Sequence, residues 1–151
     1  MSKVVIYTDG GARGNPGPAA IGVVIEMRGP KSSVGGRVRE YGEVIGEATN
    51  NVAEYSALIF ALKKAKQLLG NEKAKATDLE VRSDSELMVS QLKGEYKVKS
   101  EDLKPFFMEA WNLRQEFSSV SFIHIPREEN SRADALVNRA LDTALKTQLH
   151  F

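Results

Sequence analysis

The stretch VVIYTDGGARGNPGPAAIG, residues 4–22, decides how the rest of the chain reads. Residues 4–7 form a continuous apolar, largely β-branched run, the pattern of a strand covered on both faces. A carboxylate, Asp9, follows almost at once, and after it come glycines rather than a basic partner. A charge at the mouth of a buried strand is explained either by a turn or by a bound cation. Residues 19–27 resume as a second strand and residues 36–46 as a third, with a turn-rich connection starting at Arg28-Gly29-Pro30 between them. This spacing predicts an antiparallel meander.

Downstream the period changes to that of a helix. Thr49, Asn50 and Asn51 supply capping side chains, then Tyr55, Leu58, Ile59, Leu62, Ala65 and Leu69 fall on one helical face until Gly70 closes it. Residues 78–84 read as a short strand and 85–94 as a short helix. Ser100 or Asp102 is placed to cap a further helix, with Pro105 tolerated in its first turn and Leu103, Phe106, Phe107, Ala110, Leu113 and Phe117 on its apolar face. Residues 119–125 alternate as a strand ended by Pro126. A last helix starts near Asn130 or Ser131 and is expected to bury Leu136, Val137, Ala140, Leu141 and Leu145. The order β-β-β-α-β-α-α-β-α predicts an α/β domain with a mixed sheet covered by helices on both faces. One domain over residues 1–151 is expected, with residues 146–151 as a tail.

Composition narrows the chemistry. The 151 residues contain no cysteine, which excludes disulfides, thiolate metal sites and cysteine nucleophiles, and only two histidines, His124 and His150. Any metal site must therefore be built from oxygen ligands. The 21 basic and 20 acidic residues leave a net charge of +1, which neither favours nor excludes a polyanionic partner. No apolar run approaches a membrane span and the N-terminus lacks the form of a signal peptide, so the expectation is a cytoplasmic protein without a membrane partner.

Four acids stand out by position. Asp9 follows the first strand, Asp84 follows the fourth, Glu54 lies in the first turn of the long helix, and Asp134 lies in the first turn of the last one. Ligands gather at strand C-termini and helix N-termini in open sheets with helical crossovers, so all four acids can share one edge. Singly, each is equally well read as a cap or a turn residue. Together they would repel one another unless neutralised, and hard divalent ions accept such an all-oxygen environment. Two ions roughly 3.5–4 Å apart would serve to activate a water and stabilise the leaving oxygen of a phosphodiester.

The segments YTDGGARGNPGPAAIG, TNNVAEYSAL, VRSDSELMV and NSRADALVNRA resemble, in this order, the four motifs of type 1 ribonuclease H. The resemblance runs from residue 4 to about residue 144. It implies a ribonuclease H-like fold with a five-stranded mixed sheet, a three-stranded antiparallel meander plus two parallel strands. It also implies hydrolysis of the RNA strand of RNA–DNA hybrids, without sequence specificity, by two Mg2+ or Mn2+ ions, leaving 5′-phosphate and 3′-hydroxyl ends. By similarity Asp9, Glu54, Asp84 and Asp134 are the metal-binding catalytic acids. Asn15, Asn50, Asn51 and Asn130, with backbone groups at Gly10 and Gly11, are the expected contacts to the substrate, where an amide can read a 2′-hydroxyl.

The chain departs from the family pattern in two places. Many members carry a histidine in the loop before the last aspartate; here that loop is PREENSRAD, and Arg127 is the candidate for the missing function, holding phosphate or easing product departure. The alternative for Arg127 is a surface arginine paired with Glu128 or Glu129, and His124 is read as a structural residue of the strand. Some members also insert a basic helix and loop that grips the DNA strand, whereas here only GEYKVKSED stands in its place. The sequence thus resembles the branch without that handle, in which Lys93, Lys97 and Lys99 offset the loss in part. Trp111 is read as packing against Phe107. The expected partner is a hybrid duplex bound by a monomer, with double-stranded RNA as a second candidate substrate. Another nuclease of the same superfamily, or a binding module that has lost catalysis, are the competing readings.

Overall fold

Three long strands, β1 (Lys3–Ala12), β2 (Gly17–Arg28) and β3 (Arg37–Ala48), open the chain. The structure is a computed structural model and describes residues 3–28 and 37–149. The expected connection around residues 29–36 and the last residues of the tail lie outside the described residues. β4 (Asp78–Ser83) and β5 (Ser119–His124) complete a five-stranded sheet of order β3-β2-β1-β4-β5. β1 pairs antiparallel with β2, and β2 with β3, while β1–β4 and β4–β5 are parallel. The expected architecture, meander plus two parallel strands, is present.

The central place of β1 explains its composition. Val4, Val5 and Ile6 are all buried because each face of the sheet is covered. On one face lies α1 (Asn50–Leu69), which buries Tyr55, Leu58 and Leu62 completely against Val4, Ile6, Val23, Ile25 and Val81. α3 (Glu86–Leu92) and α4 (Lys104–Leu113) add Met88, Leu92 and Ala110 to the same core. On the other face, α5 (Ser131–Leu149) sets Val137 and Leu141 against Ala20.

The N-terminus of α1 follows its sequence signal, and that of α3 is capped by Ser85. Thr49 Oγ1 accepts the Val52 N–H at 3.2 Å, and Ser85 Oγ accepts the Met88 N–H at 3.2 Å. α1 ends at Gly70, whose positive φ of 83° is a backbone conformation open chiefly to glycine.

Several expectations needed correction. β2 and β3 each run to 12 residues, longer than predicted, because the hairpin pairing continues to the edge of the acidic pocket. A short helix, α2 (Asn71–Lys75), follows Gly70 where none was predicted. Neither Ser100 nor Asp102 caps α4 with its side chain; Leu103 holds that position, and the Ser100 carbonyl accepts the Leu103 and Lys104 N–H groups. Leu145 is exposed rather than buried, since it lies in the part of α5 beyond Leu141 and outside the packed stripe. No helix among the described residues is long and apolar enough to cross a membrane.

Candidate active site

Backbone register brings the first two acids together. Thr8 on β1 lies opposite Ser83 on the parallel strand β4. The next residue along each chain is Asp9 and Asp84, so the two carboxylates leave the sheet side by side.

Close approach of both helices supplies the other two. An added Cβ at Gly10 would overlap the Ala53 carbonyl and the Glu54 nitrogen, so only glycine lets the first turns of α1 lie this near β1. The Gly10 N–H donates to Glu54 Oε1 at 2.8 Å and fixes that carboxylate beside Asp9. Across the sheet, Asp9 pairs in register with Gly22, and Gly22 with Gly42. A Cβ on either glycine would run into α5 at Ala133 or Leu136. α5 therefore beds onto the sheet opposite Asp9, and Asp134, the neighbour of Ala133, arrives at the same place.

The result is a pocket of about 450 Å³ lined by Asp9, Glu54, Asp84 and Asp134, with Arg127, Asn50 and Asn138 at its sides. Ligand oxygens of Asp9, Glu54 and Asp84 lie within 4.8 Å of one another. Burial, followed by the charges of Asp84 and Asp134, pushes the Asp9 carboxyl up to about 8. Burial and then the charges of Asp9 and Asp84 hold Glu54 well above the usual carboxylate range. Asp84 is also raised, chiefly by burial, against the opposing effect of hydrogen bonding from Asn130. Acids disposed to keep their protons this strongly are poised to exchange them for a hard divalent cation, and the donor set, all carboxylate oxygen, fits Mg2+ or Mn2+.

The remaining candidates sort into two groups. Asn15 Oδ1 accepts the Asn50 N–H and Asn50 Oδ1 accepts the Ala12 N–H, each at 2.9 Å, which ties the β1–β2 hairpin to the start of α1. With both carbonyl oxygens engaged, the amide N–H groups of the exposed Asn15 and Asn50 have no partner among the described residues. Asn51 is exposed beside them and Gly11 lines the pocket. Asn130, by contrast, is only 1% exposed, and its Nδ2 donates to the Thr8 carbonyl at 2.8 Å. Its amide is thus turned to β1 from a buried position. The Gly10 N–H is likewise engaged by Glu54.

The comparisons with known proteins agree with this geometry. The family described as "Reverse transcriptase-like" matches residues 7–140. The ribonuclease HI of Halobacterium salinarum is 46% identical over 142 residues, covering 94% of this chain and 66% of that protein. The solved structure of LC11-RNase H1 in complex with an RNA/DNA hybrid superposes with a TM-score of 0.83 at 49% identity, covering 95% of this chain and 99% of that one. The chain belongs to the type 1 ribonuclease H family. A bifunctional protein of Mycobacterium tuberculosis is 42% identical over 145 residues, 96% of this chain and 37% of that protein. The chain thus spans about two-thirds of the halobacterial relative and just over a third of the mycobacterial one.

Within this type 1 ribonuclease H fold, Arg127 pairs with neither Glu128 nor Glu129 among the described ion pairs. Its guanidinium lies 4.0 Å from Asp134 Oδ1, with the side chain 83% exposed at the pocket's edge. His124 ends β5 exposed and does not line the pocket. Trp111 stacks on Phe107 at 5.7 Å, and the Arg114 guanidinium covers its ring at 3.5 Å, in keeping with a packing role. Two pocket residues went unnoticed in the sequence, Arg13 and Asn138. Arg13 bridges to Asp142 on α5 at 2.7 Å, a tertiary pairing with no local sequence signal. Asn138 was legible in principle, four residues after Asp134 and hence on the same helical face.

Proposed function

We propose that this protein hydrolyses the RNA strand of an RNA–DNA hybrid in a divalent-metal-dependent reaction, leaving 5′-phosphate and 3′-hydroxyl ends. The observation that carries this reading is the cluster of Asp9, Glu54 and Asp84 on the floor of an open pocket, its carboxyl groups all pushed above their ordinary range, chiefly by burial. Such a cluster has no structural value of its own, since each buried carboxylate costs stability. Asp9, Glu54, Asp84 and Asp134 would hold the cations. Two bound Mg2+ or Mn2+ ions would supply an activated water and charge stabilisation for the leaving oxygen of the phosphodiester.

The protein's own groups bind and orient the strand. The exposed amide N–H groups of Asn15 and Asn50, with Asn51 beside them, are donors suited to ribose 2′-hydroxyls, which would distinguish RNA from DNA without reading bases. Arg127 is permanently charged and so holds phosphate rather than moving protons. The RNA/DNA hybrid named for the LC11 relative supports the same substrate.

A labelled RNA strand presented as hybrid, as RNA duplex and alone, with Mg2+, Mn2+ or EDTA, tests the proposal. Metal-dependent cutting of the hybrid by the wild type, absent in Asp9→Asn, is the expected result. Hybrid that is bound but left intact with either metal would overturn it in favour of a binding module.

A further inference from the structure

Three of the four acids are fixed by groups already accounted for. Glu54 accepts from the Gly10 N–H, Asp84 directly follows the paired end of β4, and Asp9 is buried at the end of β1. Asp134 is different. Its side chain is 35% exposed and stands outside the tight trio of ligand oxygens, where it adjoins Asp9 on the pocket floor at the end of β1. Among the described residues, two nitrogen donors reach it. Arg127 stands 4.0 Å from Oδ1, while Asn138 Nδ2 donates to Oδ2 at 3.3 Å and to the Asp134 backbone carbonyl at 3.2 Å.

The Asn138 contact is the shorter, and it comes from a rigid element. Asn138 lies one turn along α5 from Asp134, so the helix itself sets the distance between the two side chains. Arg127 approaches on a long, exposed side chain from the 3₁₀ turn Arg127–Asn130. The chemistry of an amide also suits the task. A neutral donor satisfies one oxygen of the carboxylate and leaves its full negative charge available to a cation, and it turns the second oxygen in a defined direction.

We infer that Asn138 is a positioning residue of the reaction: it holds the Asp134 carboxylate by Oδ2 in one orientation on the pocket wall, so that the fourth acid is preorganised for a divalent cation. The inference rests on the hydrolase reading above, and extends it to a residue that the motifs do not single out. Partners that orient metal-binding side chains from behind are worth about tenfold to a hundredfold in metal affinity or activity.

The test compares wild type with Asn138→Ala, Asn138→Gln, Asp134→Asn and the double variant Asp134→Asn/Asn138→Ala. Hybrid cleavage gives kcat and KM, and calorimetric titration of the substrate-free protein with Mg2+ gives metal affinity. In Asn138→Ala, kcat is expected to fall about tenfold with KM for the hybrid unchanged, and Mg2+ affinity to fall by a similar factor. Asn138→Gln, which keeps an amide able to bond an aspartate one turn away, should restore most of both. In the Asp134→Asn background, Asn138→Ala should add nothing.

A raised KM with kcat and Mg2+ affinity intact would make Asn138 a substrate contact and overturn the inference. So would unchanged values throughout, or an undiminished effect in the Asp134→Asn background. Should the wild type cut no hybrid, the hydrolase reading fails by itself, and the Mg2+ titration still decides the inference. Weaker binding in Asn138→Ala upholds it, and equal binding refutes it.

Discussion

Asp9 is the residue on which the pocket turns, and its protonation gives a prediction that needs no substrate. The folded chain keeps a proton on Asp9 up to about pH 8, whereas an unfolded aspartate releases it near 3.9. Across that window the unfolded state binds fewer protons, so this group makes metal-free stability fall as pH rises. Asp9→Asn removes the penalty. In EDTA at pH 8 the variant should melt several degrees above wild type, and at pH 4 the two should converge, as thermal melts at both pH values will show. Mg2+ must displace the same protons, so its stabilisation of the wild type should grow between pH 5 and pH 8 and be largely lost in Asp9→Asn. Equal melting temperatures in EDTA at pH 8 would mean that Asp9 is not strained by its surroundings.

The elements around the pocket are held close by glycines, and this makes packing and chemistry inseparable. Gly22→Ala should push α5 away at Ala133 and displace Asp134 with it. The expected cost is about 1–3 kcal/mol, or roughly 2–4 °C of melting temperature per kcal/mol for a chain of this size, together with a loss of cleavage out of proportion to the loss of stability. A change in melting temperature with full activity would separate the two roles. On the opposite face the buried Tyr55 hydroxyl donates to Gln91 Oε1 at 2.5 Å, and Gln91 Nε2 donates to the Lys97 carbonyl at 3.3 Å. This chain of bonds anchors the short loop after α3 to α1. Tyr55→Phe should cost about 1–3 kcal/mol and accelerate amide exchange at Glu95 and Tyr96, whose N–H groups are bonded to the Ser90 carbonyl.

Across the molecule as a whole, the proposed reaction requires the acidic pocket to attract a polyanion, and the net charge of +1 does not help. The anchored loop after α3 presents Lys97 and Lys99, for which no ion pair appears among the described residues, whereas Lys93 pairs with Glu95 at 3.7 Å. The double variant Lys97→Glu/Lys99→Glu is therefore expected to raise KM for the hybrid by about tenfold at low salt with kcat unchanged. The difference should shrink as salt screens phosphate contacts. Steady-state kinetics at two salt concentrations will measure it; an unchanged KM would place the DNA strand on another surface.

Local patterns in the chain were sufficient for the strands, the long helix with its Thr49 cap and Gly70 stop, and the four acids, because each is written in hydrophobic period, capping residues or position at an element's end. They were silent on the Gly10 N–H being taken up by Glu54, on Asn130 being buried against β1, on Arg13 reaching Asp142, and on Leu145 staying exposed. Those outcomes depend on which side chain meets which neighbour across distances of up to 129 residues in sequence, as between Arg13 and Asp142. The gathering of the acids has the same origin. Each sits at the end of its own strand or helix for local reasons, but it is the parallel register of β1 with β4, and the glycine-lined approach of α1 and α5 to the sheet, that turns four separate charges into one site.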